Sequence, residues 1–206
     1  MVQKINLKNI LLIQILIFLN LGNELFAANL ADIKGAERDS SVQAFWSSLQ
    51  HLCGQSFKGE IMAAAQNDTT FAGKELIMHV RKCDNDNIRI PFFVGDDRSR
   101  TWVVTLTSSG ILLKHDHRHK DGSADKVTMY GGHTTNNGDR NKQVFPADLE
   151  TAHMLPAAIG NVWWIEVYPG KKFMYNLRRV NTDRLFSVSF DLSKPIENPG
   201  QPWGIE

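Results

Sequence analysis

Thr101–His119 reads TWVVTLTSSGILLKHDHRH. Ser108-Ser109-Gly110 sits at its centre with the composition of a tight turn, and the residues on either side alternate in character. Alternation along an extended chain puts Trp102, Val104 and Leu106 on one face of the first half. Ile111, Leu113, His115, His117 and His119 take one face of the second. A two-residue turn at Ser108-Ser109 sets Leu106 against Ile111, Val104 against Leu113, Trp102 against His115 and Arg100 against His117. Apolar side chains then meet along the whole hairpin. The histidines continue that core-facing row to one end of the sheet, while Leu112, Lys114, Asp116 and Arg118 take the other face.

Working outward, the same alternation recurs in short segments. Phe57–Ala64, Glu75–Lys82, Ile88–Val94 and Lys126–Tyr130 read as further strands, followed by Val162–Tyr168, Lys172–Val180 and Leu185–Asp191. Turn-forming runs separate them, among them DNDN at Asp84–Asn87, KDGSAD at Lys120–Asp125, YPG at Tyr168–Gly170 and NTD at Asn181–Asp183. Pro91 lacks a ladder donor and is expected at an edge or a bulge. Gly131–Ile159 reads as a long polar loop with a short helix. Ahead of the strands, Asp39-Ser40-Ser41 can cap a helix running to about Leu52, with Val42, Phe45, Trp46, Leu49 and Leu52 on one stripe and Gly54 ending it. Nine meandering strands and one N-terminal helix predict an all-β domain over residues 39–206. An antiparallel up-and-down barrel hides every strand edge; a two-sheet β-sandwich hides them partly.

Residues 1–27 have a basic start (Lys4, Lys8), an apolar stretch from Ile10 to Leu21 and a small-residue end at Ala27, the pattern of a cleaved signal peptide. The apolar stretch is shorter than the roughly 20 residues that a spanning helix needs. A periplasmic or secreted chain is expected, with residues 28–38 as a linker. Cleavage takes two of the 23 basic and one of the 22 acidic residues, leaving a formally neutral chain. Nothing in that balance draws it to nucleic acid or to a membrane surface. Cys53 and Cys83 are the two cysteines, and in an oxidising compartment they allow one disulfide. Two buried thiols that never meet are the other reading. No CxxC is present to make a redox motif.

The stretch LCGQSFKG, Leu52–Gly59, places a glycine, an aromatic and a second glycine at the start of the first strand. It resembles the corresponding junction of the calycin superfamily, the lipocalin-like barrels, except that Phe57 follows Gly54 by three residues. Arg178 or Arg179 stands on a late strand, where that resemblance implies a closing arginine. The implied fold is a lipocalin-like barrel with its helix against one end.

On this frame Arg100, Trp102, His115, His117, Thr128 and Tyr130 are expected at one barrel mouth, as a site for a small polar or anionic molecule. Guanidinium offers a bidentate fork to carboxylate or phosphate, and Tyr130 is the expected hydrogen-bond partner of His115. His115, His117 and His119 can alternatively hold zinc or copper, provided that a third ligand converges. A third reading is a structural or interaction protein, with the Gly131–Ile159 loop or exposed Trp163, Trp164 and Trp203 meeting a partner. The charged corner Asp96, Asp97, Arg98 and Arg100 can be a solvated turn or can feed an arginine into the mouth. The sequence contains no GxSxG elbow, HExxH, P-loop or dinucleotide fingerprint. A binding protein is therefore expected ahead of an enzyme, and the residues specify neither a cofactor nor an oligomeric state.

Overall fold

A computed structural model describes residues 40–204 apart from Asn67. The expected signal peptide, the linker 28–38 and the Asp39 cap lie outside the described residues. The described residues from Ser41 onward form one compact unit.

The chain is an all-β barrel. Helix α1 covers residues 40–50. Eleven strands follow: β1 (Ser56–Ala63), β2 (Leu76–His79), β3 (Lys82–Cys83), β4 (Asn87–Val94), β5 (Asp97–Thr107), β6 (Gly110–His117), β7 (Tyr130–His133), β8 (Lys142–Pro146), β9 (Asn161–Tyr168), β10 (Lys172–Arg179) and β11 (Leu185–Asp191). Helix α2 (Leu149–Met154) and a 3-10 turn (Pro156–Ala158) lie between β8 and β9. Both β2 and β3 pair with β4, so they form one broken strand in a ring of ten. Neighbours in the ring are neighbours in sequence, and β1 pairs with β11 to complete the circuit. The seam lies between β7 and β8. The alternation that builds the ring is plain in β9, where Trp163, Ile165 and Val167 are buried and Trp164, Glu166 and Tyr168 are half-exposed.

The β5–β6 hairpin has the register expected from sequence: Leu106 faces Ile111, Val104 Leu113, Trp102 His115 and Arg100 His117. Two expectations are corrected. Lys126–Tyr130 is not a strand; β7 begins at Tyr130 and runs on through Gly131-Gly132. The stretch 131–159 is not one long loop, because Lys142–Pro146 forms β8 beside β9. Of the two positions expected for Pro91, the bulge is found, at the neighbouring Phe92/Val94; its strand is interior, and Pro91 stands opposite the Val80-Arg81 break between β2 and β3. The partner strand bends away where proline has no N–H to give.

One end of the barrel is plugged. The α1 stripe of Val42, Phe45, Trp46, Leu49 and Leu52 joins the core, and Trp46 Nε1 donates to the Asn85 carbonyl at 3.2 Å. Gly54, at φ 81°, ends the helical segment, and its N–H bonds Val80 O at 2.7 Å. The Cys53–Cys83 disulfide is formed, tying this corner to β3.

At the seam a side chain does the work of a ladder. Thr151 Oγ1 accepts the Gly131 N–H at 2.6 Å and donates to Gly131 O at 2.8 Å, while the Asp148 N–H reaches the same carbonyl at 3.0 Å. A Cβ on Gly132 would lie 1.7 Å from Pro146 O, so this approach of β7 to β8 requires glycine. Lys114 reaches across from the outer face of β6 to Asp148 at 2.8 Å and Glu150 at 2.6 Å. Burial pulls the Lys114 pKa down, but its bonds to the two carboxylates more than offset this and leave it raised.

Candidate functional site

Opposite the plug, the strands surround an open cavity of about 440 Å³. Its floor is the end of the aromatic core. Trp102 lies stacked between Phe92 and Tyr175, at centroid distances of 4.8 and 4.3 Å, and Trp163 closes the β9 side. The loop between β1 and β2 crosses the mouth and sets the Phe71 ring 4.4 Å from that of Phe186 and 5.7 Å from the Arg100 guanidinium.

The β6 histidines occupy two depths. His115 is buried, and the Tyr130 ring stacks on it at 4.7 Å. Its Nδ1–H donates to Tyr130 O at 3.0 Å, which leaves Nε2 to accept the Tyr175 hydroxyl at 2.6 Å. Burial dominates its titration and lowers its pKa to about 3; the ring is neutral at physiological pH. Tyr175 is raised well above the ordinary phenol value, again by burial. His117 is nearer the rim, with Nε2 3.0 Å from the Tyr130 hydroxyl. Burial and then the Arg100 charge lower its pKa. Tyr130 is pushed up to about 12 by burial, against the opposing charges of Arg100 and Arg184. It is therefore a neutral hydrogen-bonding group.

Arg100, Trp102, His115, His117 and Tyr130 meet in this cavity. The expected His115–Tyr130 bond is made through the Tyr130 carbonyl, while the Tyr130 hydroxyl serves His117. Thr128 stands behind the wall, accepting the His117 N–H at 2.7 Å and donating to Asp116 at 3.1 Å. Asp116 is buried on the outer face between Arg89 and Arg118. His119 is exposed in the turn, where its N–H bonds Ser123 O. Both His115 ring nitrogens are engaged, and among the described residues no three His, Cys, Asp or Glu side chains are grouped to hold a metal ion.

The charged corner divides. Arg100 turns into the cavity and pairs with Asp97. Arg98 turns away, over the Phe93 ring at 4.7 Å and onto Gln201 O at 3.2 Å. Trp163 is part of the cavity wall, whereas Trp164 lies half-exposed outside with its Nε1 on Glu166.

Sequence reasoning placed neither Arg179 nor Arg184 at the site, and the signal was present. Phe173, Tyr175 and Leu177 point inward, so Arg179 continues their row. Phe186, Val188 and Phe190 do the same for Arg184. The two face each other across the β10–β11 hairpin, with Arg179 N–H on Arg184 O at 3.0 Å. Arg179 Nε donates to Asn161 Oδ1 at 2.8 Å. The described lining thus carries Arg100, Arg179 and Arg184 against one carboxylate, Asp68, whose Oδ1 is occupied by the Thr70 and Phe71 N–H groups.

No known protein family, no curated protein and no solved structure matches this chain. Among the described residues no helix is long and apolar enough to cross a membrane.

Proposed function

We propose that the protein is an exported, lipocalin-like binding barrel that holds a small anionic molecule with an apolar body. One observation carries the reading: a cavity with an aromatic floor is rimmed by Arg100, Arg179 and Arg184, with Asp68 as the one carboxylate of its described lining. Small-ligand sites commonly combine an apolar floor with a few convergent polar groups. Guanidinium forks supply charge and direction for carboxylate, sulfonate or phosphate oxygens. The neutral Tyr130 and His117 add hydrogen-bonding capacity without a competing charge. The formed disulfide accords with export to an oxidising compartment.

The test is fluorescence titration of the disulfide-intact protein with 1-naphthalenesulfonate, alongside neutral naphthalene methanol. Saturable one-to-one binding of the sulfonate, much weaker binding of the alcohol, and loss of sulfonate affinity in Arg100→Gln are expected. Equal affinity for acid and alcohol, or no binding of either, would sink the proposal. Native mass spectrometry of protein recovered from the exporting cell should also show a retained small-molecule acid.

A further inference from the structure

We infer that the Arg179–Arg184 pair at the cavity rim is a dianion subsite, built for the doubly charged end of the ligand, with a phosphate monoester as its chemical class. The inference rests on the reading of the cavity as an anion-binding site and specifies its headgroup.

The three arginines are not equivalent. Arg100 has its counterion, Asp97. Arg179 is bonded to neutral Asn161, and among the described residues neither Arg179 nor Arg184 has a carboxylate oxygen within 4.0 Å. They stand opposite each other, Arg179 ending β10 and Arg184 just ahead of β11, beyond the Tyr175–Leu177 and Phe186 rows. Like charges in that relation repel and destabilise the hairpin. Asp183, next to Arg184 in the chain, has the opposite parity and is exposed. Asp68 accepts two backbone N–H groups at Oδ1 and forms no ion pair with either arginine.

A monoanion would compensate one of these two guanidinium charges. A phosphate monoester carries close to two charges at neutral pH, with a second pKa of about 6, and offers three acceptor oxygens. Two forks can share those oxygens, each as a charge-assisted pair. Arg179 and Arg184 line the same cavity as His117 and Tyr130, so the rim pair faces the same space as the His117–Tyr130 pair across the mouth. The ester's organic body then points down onto Trp102 and Trp163.

The experiment compares three probes of one ring system on the disulfide-intact protein: 1-naphthyl phosphate, 1-naphthalenesulfonate and naphthalene-2,3-dicarboxylate. Naphthyl phosphate should bind at least about tenfold more tightly than the sulfonate at pH 7.5, the gain expected from one further charge-assisted contact. That ratio should shrink toward one below about pH 6, where the phosphate becomes a monoanion. Arg184→Gln, at an exposed position that leaves the fold intact, should collapse the ratio at pH 7.5. Arg184→Lys, which keeps charge and loses the fork, should restore part of it. Binding of the dicarboxylate above the phosphate would overturn the phosphate assignment. Equal binding of phosphate and sulfonate, with the same losses in Arg184→Gln, would overturn the dianion subsite and leave the anion-binding cavity standing. Failure of all three probes to bind would overturn both.

Discussion

The two ends of this barrel are built from the same strands and resolve them in opposite ways. Along β6 the inward row begins with Ile111 and Leu113 and ends with His115 and His117; along β10 it begins with Phe173 and ends with Arg179. At the first end α1 covers the apolar rows and a disulfide pins the helix-to-strand corner. At the second the rows terminate in groups whose bonds leave a cavity open. Stability is concentrated at one end and chemistry at the other, so substitutions should report which end they touch.

The largest effect is expected at the plug. Phe45 is fully buried, and Phe45→Ala should cost about 3–5 kcal/mol, read as a lower urea midpoint. A loss under about 1 kcal/mol would mean that α1 does not seal the barrel. Next comes the disulfide, which spans a sequence separation of 30. Replacing Cys53 and Cys83 with serine should cost about 3–4 kcal/mol in the chain-entropy account. Unchanged stability would move the comparison's weight from the disulfide to the helix alone.

An intermediate effect follows from acid. Folded His115 takes its proton near pH 3, against about 6.5 in the unfolded chain, and His79 and His117 shift in the same direction. Unfolded protein therefore binds these protons first. The His115 contribution is complete above about pH 6.5 and is lost as pH falls toward 3, at up to about 1.4 kcal/mol per unit. Stability should drop by about 2 kcal/mol between pH 7 and pH 5, and His115→Gln should flatten that slope. A slope unaffected by His115→Gln would place the titration elsewhere. The smallest effect belongs to the rim: His117→Ala should change stability by less than about 1 kcal/mol while weakening 1-naphthalenesulfonate binding. A large stability loss with unchanged binding would invert the comparison.

How much of this was legible depended on how strictly local pattern binds geometry. The β5–β6 register could be read because a two-residue turn leaves no slack, and a slip of one residue would bury Lys114 in the interior in place of Leu113. The β8 strand could not, because KQVFP has glutamine at one of its inward positions and ends in proline. β7 was displaced because Met129 adopts φ 58°, a conformation rare for a bulky side chain, which turns the chain just before Tyr130. Gly131-Gly132 opened the stretch read as a loop; in the fold it is strand, since the seam has no room for a Cβ. The rim arginines were hidden for a different reason. Each stands at a strand terminus beside a turn, where an arginine ordinarily means solvent, and only the fixed hairpin register shows both turned inward.

The seam carries a consequence of its own. Nine junctions of the ring are ladders of peptide groups, which every amino acid except proline can supply, so point substitutions seldom erase them. The tenth has one backbone bond, Asp148 N–H to Gly131 O, and otherwise depends on side chains: the Thr151 hydroxyl that spans Gly131, the Asp148 carboxylate that caps the same turn, and the Lys114 ammonium that holds it down. This junction is heritable letter by letter. Changing Thr151 alone would loosen the wall here while every ladder stayed intact.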